Sequence, residues 1–113
     1  MSEREHTARL RHLPSATVLG REIPVATTLR SRLLGLAHLD REEAGQGLLI
    51  PRCASVHTFG MRFALDVYFL DAAGEPLAVR RGVAARRVIS QAGARAVLEV
   101  PTAQGGESWP PLP

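Results

Sequence analysis

Residues 56–79 read VHTFGMRFALDVYFLDAAGEPLAV, and this stretch decides the fold. Residues two apart on a β-strand point to the same face, so residues 62–70 divide into two faces if they form one strand. One face then carries Phe63, Leu65, Val67 and Phe69, and the other carries Arg62, Ala64, Asp66, Tyr68 and Leu70. Because both faces are apolar enough to be covered, the pattern predicts a central strand. The turn residues 72–75 and the apolar residues 76–80 predict a hairpin.

Shorter segments surround this hairpin. Further strands are predicted at 17–19, 22–26, 47–50, 83–89 and 94–100, which Gly and Pro residues separate. Leu29, Leu33 and Leu36 recur at helical spacing after the capping candidates Thr27 and Thr28, which predicts one helix with its leucines in the core. We therefore predict a mostly β (α+β) fold, a small barrel or sandwich of short, mainly antiparallel strands with one short helix.

The chain of 113 residues suits one domain and is too short for two ordinary ones. Residues 1–13 are charged and aperiodic, and we expect a mobile N-terminal arm there. Residues 14–103 form the predicted single globular domain, and residues 104–113 form a Gly/Pro-rich tail. Ordering either end would cost about 1–2 kcal/mol per residue without compensating burial. Both ends should therefore be dispensable for folding, and Trp109 should emit as an exposed indole.

Charge and cysteine content restrict the class of protein. The formal net charge is +3 with arginine as the only strongly basic residue type, which does not by itself supply the concentrated basic face that nucleic acid requires. The lone Cys53 cannot form an internal disulfide, and residues 1–12 lack the apolar core of a signal peptide. No apolar run approaches the roughly 20 residues of a membrane helix. We expect a reduced, cytoplasmic protein without a membrane or nucleic-acid partner, in which Cys53 is a free, unreactive thiol.

Several motifs together resemble one family. They are the Thr-rich segment before Leu29, Arg32-Leu33-Leu34-Gly35-Leu36, Gly47-Leu48-Leu49, the His57-to-Phe63 block, Leu65-Asp66-Val67, Phe69-Leu70-Asp71, Gly74 and Val97-Leu98-Glu99-Val100. Over roughly residues 15 to 103 this pattern resembles the domain of unknown function 192 family, small bacterial and archaeal proteins with no assigned activity. The resemblance implies a compact, mostly β fold with one helix.

Asp66 is the polar residue that a central strand must accommodate. A buried carboxylate has to be paired or hydrogen-bonded, or else stay protonated. We expect Asp66 to be ionised and held internally, and the candidate partners are Arg30 or Arg32 of the helix, or backbone amides at a bulge near Gly60. On this interpretation Asp66 has a structural role.

The candidate binding niche predicted from the sequence comprises His57, Met61, Arg62 and Asp66. We expect a non-catalytic binding or accessory module whose ligand or protein partner is unknown. A small hydrolase or transferase using His57 and Asp66 is the first alternative, and a hydrogen-bonded structural role for His57 is the simplest one. A further alternative is an anion or nucleic-acid site at Arg80, Arg81, Arg86 and Arg87. The simpler interpretation of these arginines is a solvated basic edge of the sheet.

Other catalytic and cofactor patterns are missing from the sequence. Cys53 and His57 would lie about 13 Å apart on an extended chain, and Ser55 and His57 about 7 Å apart. Neither pair matches a nucleophile and its base. The histidines lack metal-ligand spacing, and no phosphate-binding loop or dinucleotide motif occurs. The sequence therefore predicts no catalytic residue, cofactor or metal.

Overall fold

The computed structural model describes residues 9–103. Its elements are β1 (Ser15–Val18), β2 (Arg21–Pro24), α1 (Leu29–Leu34), α2 (Arg41–Ala44), β3 (Leu48–Pro51), β4 (Ser55–His57), β5 (Leu65–Leu70), β6 (Pro76–Val83), β7 (Val88–Ser90) and β8 (Ala96–Pro101). Residues 9–11 add a helical turn. The predicted mostly β class with antiparallel strands is confirmed, but the chain has further short helical segments beyond the one expected.

An open antiparallel sheet in the order β3-β8-β5-β6 forms the centre of the fold. All six residues of β5 are buried, which confirms the prediction of a central strand. The strand begins at Leu65 rather than at Arg62. Two smaller antiparallel pairs, β1-β2 and β4-β7, complete the strand pairing of the described residues.

Each face of this sheet supports its own hydrophobic cluster. The larger cluster joins Leu65, Val67, Phe69 and Val97 of the sheet to Leu36, Leu39 and Val56. The smaller cluster joins Tyr68, Leu70, Leu98 and Val100 to Val18 and Ile23 of the β1-β2 pair. Odd and even residues of β5 thus enter different clusters, as the alternation of a strand covered on both faces requires.

The β5-β6 hairpin follows the prediction. The Asp71 carboxylate accepts hydrogen bonds from the backbone N–H groups of Ala73 and Glu75, at 2.9 and 3.0 Å. A side chain that satisfies its own turn in this way is a common device of aspartate. The hairpin turn is therefore stabilised by hydrogen bonds between residues that are close in sequence.

Helix α1 begins as predicted but does not pack as predicted. Thr28 and Ser31 form a reciprocal capping box, with each side-chain oxygen accepting from the other residue's backbone N–H at 3.0 Å. However, Leu29 and Leu33 are 75% and 59% exposed, so their predicted place in the core is wrong, whereas Leu36 is buried. The helix ends after six residues at Gly35, so Leu36 leaves the helical stripe and reaches the core from the loop.

The strand predicted over residues 83–89 is also wrong. Strand β6 ends at Val83 and β7 begins at Val88, and β7 pairs with β4 instead of extending β6. Gly82 and Arg86 both have positive φ, at 62° and 67°. Such dihedral angles turn the chain out of an extended path, which is why residues 83–89 divide between two sheets.

The first described residues pack against the domain. Leu10 belongs to the larger cluster, and the Arg9 guanidinium donates to the carbonyl oxygens of Gly35 and Ala37 at 2.9 Å. This part of the arm predicted over residues 1–13 therefore contributes to the core. Residues 1–8 and 104–113, with Trp109, lie outside the described residues, and the predictions made for them stay predictions.

Candidate functional site

Two carboxylic acids are buried in the central sheet. Asp66 on β5 and Glu99 on β8 each expose 2% of their surface. Asp66 lies opposite Val100 and Glu99 lies opposite Val67, so the two side chains point to opposite faces. They differ in how fully their oxygens are hydrogen-bonded.

Asp66 is fully bonded. Its Oδ2 pairs with Arg81 Nη1 at 3.2 Å, and its Oδ1 accepts from Gly82 N–H at 2.9 Å and from the Thr102 hydroxyl at 2.8 Å. Between the register pairs Leu65–Val83 and Val67–Arg80, Asp66 faces both Arg81 and Gly82, which is a β-bulge. The bulge places a charge and an amide opposite one carboxylate, which ties β5 to β6 and to the chain after β8.

The partners predicted for Asp66 are wrong, although an internal partner is present. Arg32 donates to the backbone carbonyls of Pro51 and Arg52. Arg30 lies near Arg9, where burial first and the charge of Arg30 second lower the pKa of the Arg9 guanidinium. Asp66 belongs to the sheet face that the β1-β2 pair covers, so neither helix residue meets it.

The other residues of the predicted niche have separate partners. His57 Nδ1 accepts from Phe59 N–H at 3.2 Å, so Nε2 carries the proton and donates to the Leu33 carbonyl at 3.0 Å. Arg62 pairs with Asp40 at 2.9 Å, and both side chains are more than half exposed. Met61 packs partly buried against the larger cluster. These contacts do not join His57 or Arg62 to Asp66.

The hydrolase alternative finds no support in these contacts. Both ring nitrogens of His57 are engaged by backbone groups, so neither is placed to take a proton from a nucleophile. The Cys53 thiol donates to the Ser55 carbonyl at 3.1 Å rather than approaching the imidazole. His57 instead ties β4 to α1.

The arginines of residues 80–87 do not gather into one face. Arg80 lies over the Phe69 ring at 5.9 Å and Arg81 over the Tyr68 ring at 5.7 Å. Because Tyr68 and Phe69 are consecutive on β5, the two guanidinium groups occupy opposite faces of the sheet. The Arg87 backbone N–H donates to the Thr58 hydroxyl, which is itself buried.

The structure brings a different set of residues around a cavity of about 440 Å³ between α1, β4 and the sheet. Its apolar wall consists of Leu33, Leu34, Ile50, Val56, Phe59 and Val88, and its polar groups are Arg32, Cys53, Ser55, His57 and Glu99. The volume lies within the range of about 300–1,000 Å³ that is usual for small-molecule sites.

Glu99 supplies the cavity with a carboxyl group that is only half satisfied. One oxygen accepts a hydrogen bond from the backbone of Leu36. The other, Oε1, is buried and has no hydrogen-bond partner among the described residues. Burial raises the pKa of Glu99 to about 7. The hydrogen bond from the Leu36 backbone lowers this pKa, but its effect is smaller than that of burial.

Two glycines allow the chain to approach Glu99 closely. A Cβ at Gly35 would lie 2.8 Å from Glu99 Oε1, and a Cβ at Gly47 would lie 2.2 Å from the Glu99 carbonyl oxygen. Both glycines also have positive φ, at 53° and 117°. The chain therefore passes so close to Oε1 that residue 35 has no room for a side chain.

The mouth of the cavity is apolar. Leu33, Phe59 and Val88 line it and are 59%, 52% and 66% exposed. Exposed apolar groups that cluster around a concave surface commonly mark a binding site. The arrangement therefore joins an apolar mouth to a buried acid.

Sequence reasoning missed Glu99 as a site residue, although a signal was present. In residues 96–101, Val97 and Glu99 share one face of a strand that is apolar on both sides. Like Asp66, Glu99 is therefore a carboxylate on a strand that is apolar on both faces, and its burial was predictable in the same way. What the sequence did not show is that the partners of one acid are complete and those of the other are not.

Within residues 9–103, no group of three or more His, Cys, Asp and Glu side chains lies close enough to hold a metal ion. None of the helices described combines the length and the apolar character that crossing a bilayer requires.

The fold and the cavity define a small antiparallel β domain with a candidate ligand site. A family model described as "Uncharacterized ACR", domain of unknown function 192, matches residues 13–106, and the chain belongs to this family, as the sequence motifs predicted. A solved protein of unknown function from Novosphingobium aromaticivorans is similar in fold, with a TM-score of 0.58, 20% identity, and coverage of 78% of this chain and 70% of the other. Curated proteins give no match.

Replacement of Asp66 by Ala should destabilise the domain strongly. The change leaves Arg81, Gly82 and Thr102 without their common acceptor, and the expected loss in the free energy of unfolding is about 3 kcal/mol. Asp71→Ala, at the hairpin turn, is the control and should cost about 1 kcal/mol. Urea denaturation measures both changes, and equal losses would contradict a structural role for Asp66.

Glu99 should make stability fall as pH rises. The unfolded side chain ionises near its ordinary pKa of 4.5, whereas the pKa in the fold is about 7. Between these values the folded protein binds the extra proton, so the free energy of unfolding falls by up to about 1.4 kcal/mol per pH unit. Below and above this window the contribution is constant.

The measurement compares the wild type with Glu99→Gln by urea denaturation at about pH 5, 6, 7 and 8. The difference between the two proteins should fall from pH 5 to pH 7 and level off toward pH 8, since other titrating groups cancel. Glu75→Gln, at an exposed glutamate, should show no such trend. A constant difference for Glu99→Gln would mean that Glu99 is ionised throughout.

Gly35→Ala should destabilise the fold more than Gly45→Ala. Both glycines end a short helix with nearly the same backbone angles, φ 53° and ψ −126° against φ 57° and ψ −127°. Both variants therefore incur similar backbone strain, of order 1–3 kcal/mol. Only the Cβ at residue 35 meets Glu99, since nothing lies within 4 Å of the one at residue 45. Crowding should add about 1–3 kcal/mol, and equal melting temperatures would show that Glu99 moves aside freely.

Proposed function

We propose that this domain is a non-catalytic binding module whose small ligand occupies the cavity between α1, β4 and the sheet. The observation that carries the proposal is the buried Oε1 of Glu99, which has no partner among the described residues and lies on the cavity wall. Leaving a buried polar atom unsatisfied costs about 1–3 kcal/mol. Such an atom in a native fold calls for an explanation, and a ligand that supplies the missing hydrogen bond is one.

Asp66 serves as an internal comparison. It is as deeply buried as Glu99, yet three protein groups bond it. The same sheet thus holds one acid whose bonding is complete and one whose bonding is incomplete on the side of a cavity. This contrast supports a structural role for Asp66 and a binding role for Glu99.

The binding role is favoured over catalysis by the state of the neighbouring nucleophile and base. The Cys53 thiol and both nitrogens of His57 are hydrogen-bonded to the backbone. The cavity therefore presents hydrophobic surface and a few polar groups, one of which is a carboxyl group with an unbonded oxygen, and this combination suits recognition. We also propose a cytoplasmic location, which a single free cysteine supports.

Binding should depend on the apolar mouth of the cavity. Two leucines of α1 allow a matched comparison, since both are exposed, but Leu33 lines the cavity and Leu29 does not. A fragment collection of small amines, alcohols and carboxylates is screened by ¹H–¹⁵N spectra of the full chain. We expect hits to shift the amides of residues 32–36 and 55–59.

For such a hit, Leu33→Ser should weaken binding about tenfold, because burying a leucine against an apolar group contributes on the order of 1.5 kcal/mol or more. Leu29→Ser should leave the affinity unchanged, and both variants should keep the melting temperature within a few degrees. Equal effects of the two substitutions, or shifts confined to other surfaces, would contradict the proposal.

A further inference from the structure

We propose that the ligand carries a protonated amine on an apolar body, and that its ammonium group binds Oε1 of Glu99. This inference rests on the proposed function and specifies the chemical class of the ligand. The class follows from three features of the cavity: the bonding state of the acid, the partners of the polar groups that surround it, and the apolar mouth.

The bonding state of Glu99 calls for a donor. Oε1 has no partner among the described residues, while its companion oxygen has the Leu36 backbone. Hydrogen bonds between ionised groups are roughly twice as strong as neutral ones. A ligand cation also offsets the energy of keeping the carboxylate out of water, which a neutral hydroxyl does not do.

Among the described residues, none of the charged and titratable groups around the cavity is hydrogen-bonded to Oε1 of Glu99. From α1, Arg32 is held by the carbonyls of Pro51 and Arg52. From β4, His57 is engaged at both nitrogens, and the Cys53 thiol donates to Ser55. Asp40 and Asp66 form ion pairs with Arg62 and Arg81, respectively. A carboxylate ligand has no hydrogen to donate to Oε1, whereas an ammonium group has three.

The mouth of the cavity suits the apolar body of such a ligand. On the Gly35 side there is no room beside the carboxyl group, since a Cβ there would stand only 2.8 Å from Oε1. Leu33, Phe59 and Val88 at the mouth are placed to cover the apolar body.

Binding of an ammonium group should be coupled to proton release from Glu99. The ammonium group requires an ionised Glu99 carboxylate, whereas the pKa of Glu99 in the protein without ligand is about 7. The ionised fraction rises roughly tenfold between pH 6 and pH 8, and the affinity should rise by the same factor. Over this range the amine stays protonated, since amines of this kind have a pKa of about 10. A ligand that needed Glu99 as a proton donor would show the opposite trend.

The experiment uses the full chain and three probes of nearly equal size: 2-phenylethylammonium, 2-phenylethanol and phenylacetate. Isothermal titration and ¹H–¹⁵N spectra give affinity and location at pH 6, 7 and 8. We expect the ammonium to bind at least tenfold more tightly than the alcohol at pH 8, and phenylacetate not to bind. The affinity of the ammonium should rise with pH, and that of the alcohol much less.

Glu99→Gln should abolish the preference for the ammonium and its pH dependence, while Glu75→Gln should keep both. If Glu99→Gln fails to fold, the proposal is tested on the wild type alone. The test is then the order of its affinities for the three probes and the change of these affinities with pH. The ligand class alone would be overturned by equal binding of the ammonium and the alcohol or by a preference for phenylacetate. It would also be overturned if the ammonium did not bind while other fragments shifted the signals of the cavity residues. Failure of every fragment to bind in the cavity would overturn the proposed function itself.

Discussion

The close approach of Gly35 and Gly47 to Glu99 is the constraint on which the candidate site depends. One glycine meets the carboxyl group and the other meets the backbone carbonyl of the same residue. No residue with a Cβ fits at either point without a shift of its surroundings. This approach sets the end of α1 and the start of β3 against β8, and the cavity wall is the consequence.

The two buried acids show how one sheet can serve two purposes. Asp66 lies at a β-bulge where Arg81 and Gly82 both face it, so its charge is neutralised and its oxygens are bonded. Glu99 lies one strand away on the other face and receives a single backbone hydrogen bond. A structural acid resists change because all its partners belong to the fold. An acid with a free oxygen can exchange a proton for a ligand.

Several local features were predictable because their causes lie within a few residues. The alternation over residues 65–70 marked a central strand, and Thr28 was a capping candidate for the helix that begins at Leu29. Other predictions failed where distant segments compete. Leu29 and Leu33 matched a helical stripe, yet both are exposed, and the helix ends before the buried Leu36. Residues 83–89 were predicted as one strand, but the positive φ of Arg86 divides them.

The sequence by itself determined the class of fold, the central strand, the hairpin at Asp71 and the presence of a buried carboxylate, because periodicity and turn chemistry act over short distances. Only the tertiary structure decided which groups meet the carboxylates. Arg81 and Thr102 reach Asp66 from 15 and 36 positions away, and Gly35 reaches Glu99 from the other half of the chain. Spacing along a chain does not specify such contacts, since they depend on how helix, loop and strands pack in three dimensions. For this reason the predicted niche of His57, Arg62 and Asp66 divided among separate partners, and Glu99 emerged as the acid that faces the cavity.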